Sequence, residues 1–200
     1  IDFKSIIRAG YEFFKTGGEE AQGASTITQQ LLKNTVFTDW TSEGNNKIKK
    51  IKRKIQEQYL ALEITKYYSK DEILLRYMNA INLGQNTLGV ESASLRYFGK
   101  HCSELTISEC AVIASITQNP SKYNPIRHPE ENVKRREKCL NKMLELGFIS
   151  QTQYDEAMAD TDAVYERIGL YDIDYQEANA TTGSYFSDAV YAVSYTHLRA

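Results

Sequence analysis

The stretch at residues 23–34, Gly-Ala-Ser-Thr-Ile-Thr-Gln-Gln-Leu-Leu-Lys-Asn, combines hydroxyl, amide and ammonium groups at helical spacing. Thr26 and Gln29 have the capping-box spacing that begins a helix. At about 100° per residue, Gln30 and Lys33 fall on the same side of that helix as Thr26 and Gln29. Such a face, next to the unpaired N–H groups of a helix start, suits a sugar or a phosphate. A solvated polar face is the alternative, although Glu and Lys are better helix formers there.

A second candidate binding stretch is strongly basic. Residues 47–54 contain six cations, Lys47, Lys49, Lys50, Lys52, Arg53 and Lys54. On a helix, Arg53 lies one turn before Glu57, and Lys54 flanks the same side. One carboxylate does not balance six cations, so the excess positive charge favours an anion from outside the chain. The alternative is an ion pair on a solvated face, worth roughly a few tenths of a kcal/mol.

The element that must carry these charges is an amphipathic helix over residues 47–67. Its apolar residues recur at intervals of 3, 4, 4 and 3, namely Ile48, Ile51, Ile55, Tyr59 and Leu62. This spacing predicts a buried stripe, with Glu57 pointing to the opposite side.

These two stretches carry a family resemblance. Residues 23–34 resemble the signature of the peptidoglycan glycosyltransferases, the transglycosylase domain of class A penicillin-binding proteins (glycosyltransferase family 51). Residues 53–57, Arg-Lys-Ile-Gln-Glu, resemble the Arg-Lys-x-x-Glu motif of that family. The resemblance covers residues 1 to about 160. It continues through residues 68–74, 77–79, 82–90, 93–100, 105–106, 109–111 and 119–125. Several ordered motifs make a far more specific signal than one short pattern.

The resemblance implies polymerisation of peptidoglycan glycan chains from lipid II. The 4-hydroxyl of the acceptor GlcNAc attacks C1 of the MurNAc of the growing chain with inversion, and undecaprenyl pyrophosphate leaves. Glu57 is then a catalytic residue that orients the cations or acts on the leaving group. Ser25, Thr26, Gln29, Gln30, Lys33, Arg53 and Lys54 are then the substrate-binding residues.

The first motif of the family, Glu-Asp-x-x-Phe-x-x-His-x-Gly with its catalytic Glu, does not occur in these residues. We therefore interpret the chain as a fragment that lacks its general base and is inactive alone. The resemblance implies lipid II and the nascent glycan strand as partners, and a transpeptidase domain in the parent chain. It also implies an N-terminal membrane anchor outside these residues and a location at the extracytoplasmic face of the cell membrane.

Composition limits the other classes of function. With 42% hydrophobic and 25% charged residues, the chain is an ordinary globular protein, and its net charge of −2 argues against nucleic acid as a partner. The 3 His and 3 Cys residues show no spacing typical of a zinc site, so we predict no protein-bound metal. The resemblance leaves a divalent cation, Mg²⁺ or Mn²⁺, open at the pyrophosphate.

The rest of the chain reads as a series of helices, so we predict a mainly α fold. Helical patterns cover residues 3–14, 26–36, 70–80, 91–98, 106–117, 130–146 and 150–159. The resemblance implies a lysozyme-like helical domain with a small membrane-facing jaw. We assign residues 1–160 to the glycosyltransferase domain and residues 161–193 to the start of a linker toward a transpeptidase domain. Residues 194–200 match nothing expected and are interpreted as an artefactual tail.

Two other functions remain as alternatives. A lysozyme-like glycan-cleaving enzyme needs no cations for a pyrophosphate, so the basic stretch speaks against it. A non-catalytic fragment that binds glycan or lipid II is the second.

Overall fold

The computed structural model describes residues 25–37 and 47–176, and these residues are mainly helical. The α-helices are α1 (Ile27–Thr35), α2 (Lys47–Tyr67), α3 (Lys70–Ala80), α4 (Val90–Phe98), α5 (Ile107–Ile116), α6 (Pro129–Glu145), α7 (Gln151–Ala159) and α8 (residues 161–176). A short 3₁₀ helix lies at Cys102–Glu104, and one isolated bridge joins Asn82 to Leu88. The described residues form no strand, and the prediction of a mainly α fold is confirmed. The membrane-facing jaw stays a prediction.

Local sequence signals set where several helices begin. Thr26 and Gln29 form a reciprocal capping box at α1, and Ser69 and Glu72 form another at α3, as their spacing predicts. The same arrangement begins α5 at Thr106 and α7 at Ser150. These caps fix the first turn of α1, and hence the position of the polar face that follows it.

The chain divides into two compact units, the first ending at Ile81 and the second beginning at Asn82. In the first unit, α1 packs against both α2 and α3. Its buried apolar side chains are Leu31, Leu32, Ala61, Ile73, Tyr77 and Ile81. This small core holds α1 beside the basic end of α2.

The apolar stripe predicted to be buried on α2 is exposed at each of its members whose burial the structure describes. Ile55 and Tyr59 are 64% and 62% exposed, and Leu62 is also exposed. The opposite face, with Glu57 and Ala61, is the buried one. Periodicity shows that a helix has an apolar face, but it does not show which face a neighbouring element covers. Here α1 packs against α2, and Lys54 on the polar face of α2 donates a hydrogen bond to Ser25, just before α1.

The second unit is built around α5. Ala111 lies in one buried cluster with Leu140, Ile149 and Ala157. Its neighbour in the chain, Val112, lies in another cluster with Val164 and Ile168. A helix that is apolar on most of its circumference is a buried central element, and the sequence of α5 has that character.

Helix α8 was not among the predicted helices, yet it packs in the second unit. Val164 and Ile168 are fully buried, and Arg96 of α4 forms an ion pair with Asp172. Gly99 ends α4 with a φ of 68°, and a Cβ built there would lie 2.5 Å from the ring of Tyr171. Only glycine adopts this backbone conformation freely, and only glycine leaves room for that ring. The boundary that we assigned at residue 160 stays a prediction.

The predicted first helix at residues 3–14 and the tail at 194–200 lie outside the described residues. No described helix is long and apolar enough to cross a membrane.

Candidate functional site

The centre of the candidate site is Glu57, whose side chain is 0% exposed. Its Oε1 accepts a hydrogen bond from the guanidinium of Arg53, one turn earlier on α2. Its Oε2 accepts from Lys54 Nζ at 2.7 Å. The alternative of an ion pair on a solvated face is therefore wrong, because the carboxylate lies inside the unit. A buried carboxylate that is held by two cations is a rigid anchor for both of them.

A third cation joins this group from the neighbouring helix. Lys33 of α1 lies within electrostatic range of Lys54, Arg53 and Glu57. Burial lowers the pKa of Lys33, and the charges of Lys54 and Arg53 lower it further, whereas Glu57 opposes the shift. We call Lys33, Arg53 and Lys54 the cation cluster. The mutual repulsion of these three cations, which Glu57 offsets in part, favours an anion at this position.

Hydrogen bonds connect the cation cluster to the start of α1. Lys54 Nζ donates to Ser25 Oγ at 3.1 Å, and Gln30 Nε2 donates to the Ser25 carbonyl at 3.4 Å. Tyr77 of α3 donates its hydroxyl to Gln30 Oε1 at 3.3 Å. Ser25, Gln30, Lys33, Arg53 and Lys54 thus lie in one region of the first unit, as the resemblance implies.

Thr26 and Gln29 cap the start of α1 in this region. Gln29 N–H donates to Thr26 Oγ1 at 3.3 Å, and Thr26 N–H donates to Gln29 Oε1 at 2.9 Å. These bonds satisfy two backbone N–H groups at the start of the helix. The structure therefore gives both residues a capping role, and their contact with a substrate stays a prediction.

The residues of this site do not fit a protein-bound divalent cation. Mg²⁺ and Mn²⁺ take carboxylate and other oxygen ligands, yet both oxygens of Glu57 accept hydrogen bonds from cations. Among the described residues, no group of three or more His, Cys, Asp or Glu side chains could hold a metal ion. We therefore derive no step of the chemistry through a metal.

The second unit has a polar cleft of about 420 Å³. Its two cations are paired, since Lys100 Nζ lies 2.8 Å from Glu109 Oε2 and Arg167 lies 2.9 Å from Asp160 Oδ2, and Glu156 adds a third carboxylate. None of the predicted site residues lines this cleft. The cleft therefore has no excess positive charge that would attract an anion.

Comparison with known proteins shows which family this chain belongs to. The family model described as "Transglycosylase" matches residues 1–144, which include the whole first unit, part of the second and every residue of the candidate site. The chain belongs to the transglycosylase family. The resemblance carried by residues 23–34 and 53–57 is therefore confirmed.

Curated transglycosylase relatives are penicillin-binding proteins. Penicillin-binding protein 1A of Clostridium botulinum (strain Langeland) is 47% identical over 147 residues, which are 71% of this chain and 17% of that protein. Penicillin-binding protein 1A of Aquifex aeolicus is 42% identical over 158 residues, which are 79% of this chain and 20% of that protein. The chain thus spans about a fifth of the length of such relatives.

A solved transglycosylase relative is also similar. The crystal structure of penicillin-binding protein 1A from Haemophilus influenzae shares 43% sequence identity with this chain. The match covers 44% of this chain and 13% of that one, with a TM-score of 0.43.

Sequence reasoning missed one residue that contacts the candidate site, Tyr77. It lies in the stretch Tyr-Met-Asn at residues 77–79, which contributed to the resemblance without a role of its own. Its contact with Gln30 joins residues 47 positions apart. A local sequence pattern does not predict a contact between residues so far apart. The one available signal is that the hydroxyl of a buried tyrosine usually has a hydrogen-bond partner.

Proposed function

We propose that this chain is the glycosyltransferase part of a peptidoglycan polymerase and that its cation cluster binds the pyrophosphate of lipid II. Membership of the transglycosylase family supports the reaction class. The single observation that supports the site is the convergence of three cations, Lys33, Arg53 and Lys54, around the buried carboxylate of Glu57. An undecaprenyl-linked pyrophosphate supplies the anion that such a cluster favours.

In the proposed reaction, the acceptor's 4-hydroxyl oxygen forms a bond to C1 of the MurNAc at the end of the growing chain. The bond between C1 and the phosphate oxygen breaks, and its electron pair leaves with undecaprenyl pyrophosphate. A general base takes the hydroxyl proton. The family's first motif supplies that base, and the 200 residues do not contain it.

The cation cluster stabilises the charge that develops on the leaving pyrophosphate. Preorganised charges of this kind are usually the largest single contribution to catalysis. Glu57 holds Arg53 and Lys54 in place through its two oxygens, so they need no reorganisation when charge develops. This arrangement supports the orienting role for Glu57 over direct action on the leaving group.

The polar start of α1 is proposed to bind the neighbouring sugar or phosphate oxygens. Gln30 already donates a hydrogen bond to Ser25, and Ser25 accepts one from Lys54 of the cluster. Thr26 and Gln29 fix the helix start that presents them.

The setting of the whole protein is likewise a proposal. By analogy with the penicillin-binding proteins that it resembles, we propose a parent chain with a membrane anchor and a transpeptidase domain. The reaction would take place at the extracytoplasmic face of the cell membrane. The substrate and product would be lipid II and the nascent glycan strand.

A glycan-cleaving enzyme fits the site less well. Glycoside hydrolysis needs an acid that donates a proton and a second carboxylate nearby. Both oxygens of Glu57 already accept hydrogen bonds from the cations of Arg53 and Lys54. No second acidic partner of Glu57 occurs in the hydrogen bonds of the described residues.

The proposal is tested by Lys33→Ala and Arg53→Ala in the chain extended N-terminally by the family's first motif. Loss of one charge contact in the transition state is worth about 3 kcal/mol, so each variant should polymerise lipid II about a hundredfold more slowly. Lys66→Ala is the matched control, because Lys66 is an exposed lysine on α2, the helix that carries Arg53. Near-normal polymerisation by both site variants would contradict the pyrophosphate assignment.

A further inference from the structure

The hydroxyl of Tyr77 begins a chain of hydrogen bonds that ends at the cation cluster. The side chain is only 9% exposed, and its O–H donates to Gln30 Oε1 at 3.3 Å. Burial raises the pKa of Tyr77, so the phenol stays neutral and keeps its proton. Tyr77 is therefore a permanent donor toward the amide of Gln30.

The hydrogen bond from Tyr77 to the amide oxygen of Gln30 also determines where the amide nitrogen of Gln30 points. The two ends of a Gln side chain lie on opposite sides of one planar group, and the torsion that rotates this group is soft. With its Oε1 held by Tyr77, Gln30 directs Nε2 to the carbonyl of Ser25, 3.4 Å away. Ser25 precedes the N-cap of α1, where no helical hydrogen bond holds its backbone.

Ser25 in turn contacts the cluster. Its Oγ accepts from Lys54 Nζ at 3.1 Å, and the same Nζ donates to Glu57 Oε2 at 2.7 Å. Lys54 is half-exposed, so Ser25 and Glu57 together decide where its ammonium group points. The chain Tyr77–Gln30–Ser25–Lys54 thus joins α3, α1 and α2 within the first unit.

We propose that Tyr77 is a positioning residue of the glycosyltransferase site, which sets the direction of Lys54 through Gln30 and Ser25. The inference rests on the proposed function, because the cation cluster is taken as the pyrophosphate site. Tyr77 acts through Gln30 and need not touch the substrate itself.

The test is Tyr77→Phe, which keeps the buried ring and removes the hydroxyl. Inorganic pyrophosphate is the probe, and calorimetric titration of the 200-residue chain gives its Kd. Loss of one hydrogen bond between neutral groups should raise that Kd about three- to tenfold. Tyr67→Phe is the matched control, since Tyr67 is 78% exposed in the same unit. It should bind pyrophosphate as the unchanged chain does.

A double-mutant cycle separates positioning from general stability. If Tyr77 acts through Gln30, Tyr77→Phe should change the Kd no further once Gln30→Ala is present. Thermal melting of all variants shows whether each one folds. Unchanged binding by Tyr77→Phe, or equal losses with and without Gln30→Ala, would overturn the proposal.

The same experiment distinguishes this inference from the proposed function. If Lys33→Ala and Arg53→Ala still bind pyrophosphate tightly, or if the unchanged chain does not bind it, the site assignment fails and the inference fails with it. If those variants lose binding while Tyr77→Phe keeps it, only the role of Tyr77 is contradicted.

Discussion

At the scale of single residues, the burial of Glu57 governs the site. The sequence predicts the pairing of Glu57 with Arg53 and Lys54, because residues three and four apart share a helix face. It does not predict that this face is buried. The isoleucines and Tyr59 on the other side present a more regular apolar pattern, yet the described members of that stripe are exposed.

Glu57→Gln should cost both stability and activity. The amide keeps the size of the side chain, but Arg53 and Lys54 lose a charged partner inside the unit. Hydrogen bonds to charged groups are worth about 2 kcal/mol, so we expect the free energy of unfolding to fall by about that amount. Urea denaturation measures it, and Glu63→Gln in the surface pair with Lys66 is the control. Unchanged stability together with full polymerisation in the extended chain would show that Glu57 anchors neither cation.

A second residue-scale prediction concerns pH. The hydrogen bond and charge of Glu91 raise the pKa of His101, while Cys102 and His101 lower the pKa of Glu91 to about 2. Because the folded-state pKa of His101 is raised, its contribution to stability is complete below the ordinary value near 6.5 and is lost as the pH rises through the raised value. Glu91 stays ionised throughout this window.

The measurement is the Tm of the unchanged chain and of His101→Gln at pH 5.5 and at pH 8.5. The difference between the two proteins should be larger at pH 5.5. Both side chains are exposed, so the effect should be small. A difference that grows toward pH 8.5 would contradict the assigned direction.

At the scale of helices, the sequence predicts the bounds that depend on local signals such as capping residues and apolar periodicity. The capping boxes give the starts of α1 and α3, and the predicted range of α2, residues 47–67, agrees with the structure. The orientation of α2 and the existence of α8 were missed. Residues 161–176 are rich in acids and tyrosines, and their buried pair, Val164 and Ile168, is too short a pattern to indicate a core helix.

Arg136 joins the helices of the second unit and should be hard to replace. It is fully buried on α6 and donates to the hydroxyls of Ser108 and Thr161, each at 2.8 Å, and to the carbonyl of Ala157. These partners lie on α5, α8 and α7. Arg136→Leu leaves them without a donor, so the free energy of unfolding should fall by about 3 kcal/mol.

Chemical denaturation monitored by circular dichroism tests this prediction. Lys134→Ala is the control, because Lys134 is an exposed cation on the same helix. If Arg136→Leu were as stable as that control, the buried network would not hold α5 to α7 and α8.

At the scale of the whole molecule, family membership and the chemistry of the site both support the proposed glycosyltransferase activity. The family model covers 144 residues, and the catalytic Glu of the family's first motif is not among them. In the proposed function, the 200 residues supply the substrate-binding side chains, and the first motif of the family supplies the general base. A general base typically contributes about a hundred- to ten-thousandfold in rate.

The chain alone should therefore bind lipid II, or an inhibitor that mimics its pyrophosphate such as moenomycin, without forming glycan polymer. Binding is measured by fluorescence anisotropy with a labelled ligand, and product by gel electrophoresis. Extension by the motif Glu-Asp-x-x-Phe-x-x-His-x-Gly should restore synthesis. Polymer from the unextended chain would mean that Glu57 or another residue of the chain acts as the base.

The most direct test of the central claim is the product that the extended chain forms from labelled lipid II. We predict a ladder of glycan polymers, with one undecaprenyl pyrophosphate released for each new linkage. Both signals should fall about a hundredfold in Lys33→Ala and Arg53→Ala, while Lys66→Ala retains them. Shortened glycan in place of polymer, or full polymerisation by both site variants, would contradict a glycosyltransferase that works through this cation cluster.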